Sequence, residues 1–196
     1  NSKERLDAWT VTKLCDEYLE KYAAVKKRPR SAREDELNLA RDVRPTWGNR
    51  KARDIRRREV VALLDEIVAR GSSVQANRTL ATIRKMFSWA LEREVVELNP
   101  ATQITKPGTE TERERALSMD EIKTVWQNLD NTDEPPLGVK NALKLILLTG
   151  ARPGEILAAR WDQLKDNWLE LPGTSTKNKK PHNVYLSPLA RKLIGK

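Results

Sequence analysis

A mainly helical chain in two parts, a helical bundle followed by a smaller α+β unit, is the fold class this sequence predicts. Three observations predict it. Apolar residues recur at helical spacing through the first hundred residues. That periodicity lapses between Ala101 and Leu117, where Pro107-Gly108 and Thr109-Glu110-Thr111-Glu112 read as an exposed linker. After Trp161 the pattern turns to alternation, first in Trp168-Leu169-Glu170-Leu171 and again in His182-Asn183-Val184-Tyr185-Leu186, which marks a small antiparallel sheet. The expected units are residues 1–100, a linker over 101–117, and residues 118–196.

The elements follow in order. Val11, Leu14, Cys15, Tyr18, Leu19 and Tyr22 form the apolar stripe of a first helix, and Cys15 on that stripe is a core residue with no chemistry. A second helix spans about Ser31 to Arg44, before Pro45 and Gly48. Val60, Val61, Leu63, Leu64, Ile67 and Val68 mark a third, which stops at Gly71. Arg56 stands where Ser or Thr would cap this helix, so its start lacks a cap. A fourth runs from Ser73 to about Arg93 with Ala76, Leu80, Ile83, Phe87 and Leu91 inward, and Asn99-Pro100 ends the unit. In the second part Ser118-Met119-Asp120-Glu121 is a capping box. It opens a helix whose apolar face is Met119, Ile122, Val125, Trp126 and Leu129. After the loop Asn131–Pro136 an apolar helix ends at Leu148. The two strands flank the turn Asn178-Lys179-Lys180-Pro181, and a last helix begins near Ser187-Pro188.

Composition narrows the function. The 196 residues are 38% hydrophobic and 33% charged, with a net charge of +9. That excess suggests a polyanionic partner. It is concentrated early: residues 1–108 carry 23 Lys and Arg against 16 Asp and Glu, whereas residues 109–196 carry 14 against 12. No apolar run reaches the ~18 residues of a membrane span, and Asn1 to Asp7 is too polar for a secretory signal. A single cysteine permits no internal disulfide, which suits a reducing compartment, and the expected location is the cytoplasm. One histidine and one cysteine speak against a structural zinc site.

The most informative stretch is Leu148-Thr149-Gly150-Ala151-Arg152-Pro153-Gly154-Glu155-Ile156-Leu157. Gly150 suits the left-handed residue that closes a helix, and Pro153 the first turn of the next. Arg152 then sits at a positive helix mouth, where a phosphate is the natural ligand and a guanidinium can bind two of its oxygens. Glu155, three residues on, is within reach to orient that fork.

Three blocks resemble the tyrosine recombinases, specifically the phage-type integrases. The first runs from Ala76-Asn77-Arg78-Thr79-Leu80 through Phe87-Ser88-Trp89-Ala90 to Asn99-Pro100; the second is the Arg152 stretch, ending in Arg160-Trp161. The third is Leu171-Pro172-Gly173 followed by Thr176-Lys177-Asn178-Lys179-Lys180-Pro181-His182-Asn183-Val184-Tyr185-Leu186-Ser187. The resemblance implies a SAM-like helical core-binding domain followed by the N-terminal part of a catalytic domain. It implies site-specific strand cleavage and rejoining through a 3′-phosphotyrosyl intermediate, with neither metal nor other cofactor. Arg152 matches the family's first catalytic arginine, Glu155 the supporting acid beside it, and Lys177 the hairpin lysine that protonates the leaving oxygen. The family's His-x-x-Arg box and nucleophilic tyrosine lie beyond that hairpin; Tyr18, Tyr22 and Tyr185 match none of them, so the chain reads as a fragment. His182 precedes the missing box and reads as a strand-face residue.

The implied partner is double-stranded DNA carrying a core-type attachment site, joined in synapsis by other protomers of a tetramer; the fragment alone is expected to be a monomer. Arg78, Thr82 and Lys85 recur at i, i+4 and i+7 opposite Leu80 and Phe87, a stripe suited to a DNA groove, while Arg84 lies nearer the apolar stripe and could buttress the core. Lys27, Arg28 and Arg30, then Arg50, Lys51 and Arg53, together with Arg56-Arg57-Arg58, are expected phosphate contacts. A non-catalytic DNA-binding regulator on the same scaffold is the alternative, and it has no use for Arg152 and Lys177 together. An RNA-binding structural protein accounts for the charge and leaves the Arg152 turn unexplained.

Overall fold

Among the described residues four α-helices build the first part, as the periodicity predicts. The computed structural model describes residues 9–110, 114–174, 176 and 180–195. Helix α1 comprises Val11–Tyr18, a π-helical turn Leu19–Ala23 and a last turn Ala24–Lys26. Thr10 starts it by accepting the Lys13 N–H at 3.2 Å. Helix α2 comprises Pro29–Asn38, a second π turn Leu39–Val43 and Arg44–Trp47. It runs past Pro45, where the sequence predicted a stop. A proline ring normally presses on the carbonyl four residues back, and the π turn just upstream opens the coil there. Helix α3 is Arg57–Ala69 and helix α4 is Ser73–Leu91, with Gly71 at φ +78° turning the chain between them.

Helix α4 is the spine of this unit, packed against α1, α2 and α3. Its predicted Ala76, Leu80, Ile83 and Phe87 are buried together with Met86, Trp89 and Ala90, while Leu91 is exposed. Each large side chain taken out of water contributes roughly 1.5–3 kcal/mol. Cys15 lies in the same core beside the Met86 sulfur at 3.7 Å, and burial pushes its thiol up to about 12.

Between α2 and α4 the interior is polar. Asp35 accepts from the Tyr18 hydroxyl at 2.7 Å and the Thr82 hydroxyl at 3.1 Å, and also pairs with Lys27. Asn38 donates to Thr82 at 3.0 Å and accepts from Gln75 at 2.8 Å. Asp42 accepts from Thr79 at 3.0 Å and pairs with Arg41 and with Arg70 at the end of α3. Burial alone would raise the Asp42 carboxyl; the hydrogen bonds from Arg41, Arg70 and Thr79 outweigh it and hold the group below its ordinary range. This ladder corrects the stripe predicted on α4. Thr82 is 3% exposed and faces α2, because α4 is covered on two sides rather than one.

The stretch expected to be a linker is anchored over its first ten residues. Ala101 is fully buried. Arg84 donates to the carbonyls of Ala101 at 3.1 Å and Ile104 at 2.6 Å, the buttress its position suggested. Asn77, 4% exposed, donates to the Gly108 carbonyl at 2.8 Å and accepts the Gly108 N–H at 2.9 Å. Gly108 is there because a Cβ would lie 2.4 Å from the Ser73 carbonyl oxygen. The compact units accordingly divide at residue 113, as 1–113 and 114–196.

In the second unit α5 is Met119–Asn131, α6 Leu137–Thr149 and α7 Pro153–Leu157. The capping box opens α5 as predicted, Ser118 accepting the Glu121 N–H at 3.2 Å and Glu121 the Ser118 N–H at 2.8 Å. Of its apolar face Leu129 is buried, whereas Met119 and Val125 are exposed. The strands β1 (Leu164–Lys165), β2 (Trp168–Leu171) and β3 (His182–Tyr185) form an antiparallel sheet in that order, followed by α8, Pro188–Ile194. Strand β1 was not legible in the sequence, being two residues long. Leu169 opposes Val184 on the buried face, where both pack with Leu145, Leu171, Leu186 and Ala190.

Gly108→Ala is expected to lower the urea stability of the chain by about 1–3 kcal/mol, the cost of leaving buried Asn77 unpaired, and to open residues 101–106 to protease. An unchanged midpoint would show that the segment is not anchored. A carboxyl held low in the folded state contributes stability that is complete above its ordinary pKa and lost as pH falls through the lowered value. Asp42→Asn should therefore be less stable than the parent at pH 7, with the gap closing below about pH 4; a gap independent of pH would assign its cost to packing instead.

Candidate functional site

The second unit holds its candidate site at the junction of α6 and α7. Helix α6 closes at Gly150, φ +64°, whose N–H donates to the Ile146 carbonyl at 2.9 Å. Thr149 locks the turn, donating to the Leu145 carbonyl at 2.6 Å and accepting the Ala151 N–H at 3.2 Å. Arg152 follows in extended conformation as the residue before α7. Glu155 grips it twice: one carboxylate oxygen accepts the Arg152 N–H at 3.1 Å, the other accepts from Nη1 at 2.8 Å. Glu155 is 4% exposed, whereas the Arg152 side chain is 55% exposed. The Arg152 guanidinium, its backbone N–H and a contribution from His182 hold the Glu155 carboxyl below the usual carboxylate range, against the effect of burial. The acid is thus an anchor and the arginine a presented fork.

The helix-mouth expectation is modified. Helix α7 is five residues long, so its dipole is small, and the Arg152 N–H is already taken by Glu155. The guanidinium carries the positive charge of the site. It opens into a cleft of about 570 Å³ lined also by His182 and Tyr185. Sequence reasoning missed both as cleft residues. The signal was strand parity: His182 shares its face with Val184 and Leu186, the apolar side that meets the Arg152 turn. Tyr185 has the opposite parity and sets its ring against Trp168, centroids 5.3 Å apart. Lys177, the expected hairpin lysine, lies outside the described residues. Among the described residues no cluster of three or more His, Cys, Asp or Glu is placed to hold a metal ion.

The expected DNA contacts are distributed over the first unit. Arg78 is exposed on α4, and Lys85 is half-buried with its ammonium over the Tyr22 ring at 4.8 Å. Thr82 leaves this group, as does Lys27, which pairs with Asp35 and belongs to the internal ladder. Arg30 is almost fully exposed beside Glu34 at 3.5 Å, and Arg50 pairs with Glu59 at 3.1 Å. Arg28 and Lys51 are engaged with neighbouring groups, and Arg53 lies 3.7 Å from Asp54. At the start of α3, Glu59 accepts the Arg56 N–H at 2.8 Å, tying down the first turn from within the helix, and Arg56 makes no side-chain cap of its own.

Comparison with known proteins places this arrangement. Residues 11–107 match the phage integrase central domain. The prophage integrase IntZ of Escherichia coli (strain K12) is 30% identical over 200 residues, covering 98% of this chain and 46% of that protein. The chain belongs to the phage integrase family of tyrosine recombinases. The integrase of Escherichia phage HK022 is 28% identical over 143 residues, 72% of this chain and 39% of the relative. The chain thus spans less than half the length of these curated relatives. A lambda integrase dimer bound to a COC′ core site shares the fold at a TM-score of 0.77 and 18% identity, over 92% of this chain and 49% of that one.

Glu155→Leu should leave the fold in place and speed hydrogen exchange in α7 by about tenfold or more, since a charge-assisted bond contributes roughly 1.5–3 kcal/mol. Unchanged protection would show that Gly150 and Pro153 hold the turn by themselves.

Proposed function

We propose that this chain is part of a site-specific DNA recombinase, which cleaves and rejoins strands through a 3′-phosphotyrosyl intermediate. One observation carries the reading: in a chain of this family, an exposed arginine is held by a buried glutamate at the mouth of a cleft. Charge that develops on a phosphate in flight needs a donor already in place, and the Glu155 anchor supplies that fixity. Lys177 is proposed to protonate the leaving oxygen. The helical unit is proposed to hold duplex DNA through Arg78 and Lys85 on α4, with Arg28, Arg30, Arg50, Lys51 and Arg53 on neighbouring phosphates. Other protomers complete the synaptic assembly. Action in the cytoplasm, on nucleoid DNA, is part of the same reading; among the described residues no helix is long and apolar enough to cross a membrane.

The chain's own tyrosines do not serve as the nucleophile. Tyr18 is buried, donates to Asp35, and is pushed far up by burial and that bond. Tyr22 stacks on Tyr18 with centroids 5.4 Å apart, and Tyr185 packs on Trp168 across the sheet from His182. Binding without cleavage is therefore the expected behaviour of these 196 residues.

A nicked suicide duplex tests this. The chain should bind it and form no covalent adduct, and an adduct would refute the assignment of the tyrosines. Arg78→Ala and Lys85→Ala should each weaken binding and reduce its salt slope by roughly one per lost phosphate contact; unchanged slopes would show a solvated face. In the full-length recombinase Arg152→Ala should slow cleavage by about 10²–10³, far more than it weakens core-site binding. Full cleavage by that variant would remove Arg152 from the chemistry.

A further inference from the structure

Histidine 182 opens β3 opposite Leu171, at the end of a row that begins with buried Leu186 and Val184. The row passes from the core to the cleft, and there the imidazole is exposed instead of packed. The imidazole makes no hydrogen bond among the described residues, and it helps hold the Glu155 carboxyl low. The charge of the cleft makes this position significant. Arg152 and Glu155 cancel, so a phosphate arriving at the pair meets a fork with no net charge behind it. Among the described residues lining the cleft, His182 is the further group able to carry positive charge. Arg152 and Glu155 face it from the α6–α7 turn. On β2, Glu170 projects from the opposite side of the sheet and is paired with Lys165 at 2.7 Å. Lys180, on the same arm of the hairpin, is exposed.

We propose that His182 is a phosphate-contacting residue of the Arg152 cleft, donating to a DNA phosphate in its protonated form. This rests on the reading of the cleft as the seat of a phosphate. A neutral imidazole offers one N–H and no charge; the imidazolium restores the positive balance that Glu155 removes. Grip on DNA then depends on pH, and the sign follows from linkage. A phosphate beside the ring stabilises the protonated form, so DNA raises the ring's titration midpoint. Affinity is then greatest at low pH and falls as pH rises. Imidazole is the side-chain class that ordinarily changes charge between about pH 5 and 8, and the chain has one histidine. Its Hε1 proton is therefore a single NMR signal with an unambiguous assignment.

The experiment follows that signal from pH 5 to 8.5 in the 196-residue chain, free and saturated with a 30-base-pair duplex, and measures duplex affinity over the same range for the parent, His182→Gln and Arg152→Ala. The expected midpoint rises by about one pH unit with DNA, and parent affinity falls by up to about tenfold toward high pH. His182→Gln, at an exposed position, should show a flat profile. If the midpoint does not move and the parent profile matches His182→Gln while Arg152→Ala still weakens binding, the inference is overturned and the cleft reading stands. If Arg152→Ala binds as the parent does at every pH, the cleft reading fails and this inference fails with it.

Discussion

A buried carboxylate must have fixed partners, and each unit of this chain is organised around one. In the first it is Asp42, whose side chain is wholly buried and bound by Thr79 of α4, Arg70 of α3 and Arg41 of its own helix. Three helices meet at that group, so it fixes their register as well as their contact. In the second it is Glu155, which pairs with Arg152 and so holds a turn. Removing the partners of either acid would leave a charge in a medium that cannot solvate it, a cost far above that of losing a surface ion pair.

The two acids serve different ends. Asp42 belongs to a ladder with Asp35 and Asn38 that determines which face of α4 is inward, and so leaves Arg78 outward and brings Lys85 over Tyr22. The other flank of α4 carries Asn77 and Arg84, which bind the chain that leaves the unit. One helix therefore holds the core, the basic face and the start of the connection to the next unit. Glu155 instead leaves its partner exposed: the guanidinium is restrained at one nitrogen and presents the rest to the cleft. That arrangement leaves a fork free to meet an anion while the buried acid holds the turn.

Placement in the phage integrase family agrees with this division. The matched segment, residues 11–107, ends just inside the anchored stretch that the sequence alone would assign to a linker. Pro107-Gly108 reads as a loop because those residues favour turns; nothing local shows that Asn77, thirty-one positions earlier, binds the Gly108 backbone on both sides.

Local chemistry determined most of the elements. The 3.6-residue spacing gave the helices of the first unit, Ser118 and Glu121 the start of α5, and Gly150 with Pro153 the turn that presents Arg152, because each signal acts within a few residues of itself. The resemblance pointed to Arg152 and Glu155, which the fold joins by two hydrogen bonds. Tertiary packing decided the rest. Thr82 lies inward because a second helix covers α4, Lys27 is drawn into the ladder by Asp35, α2 continues through Pro45 beside a π turn, and His182 reaches the cleft because strand pairing puts its face toward the turn. Each of these depends on what stands opposite a residue across a gap in sequence, and a periodic pattern records which residues share a face without recording what that face will meet.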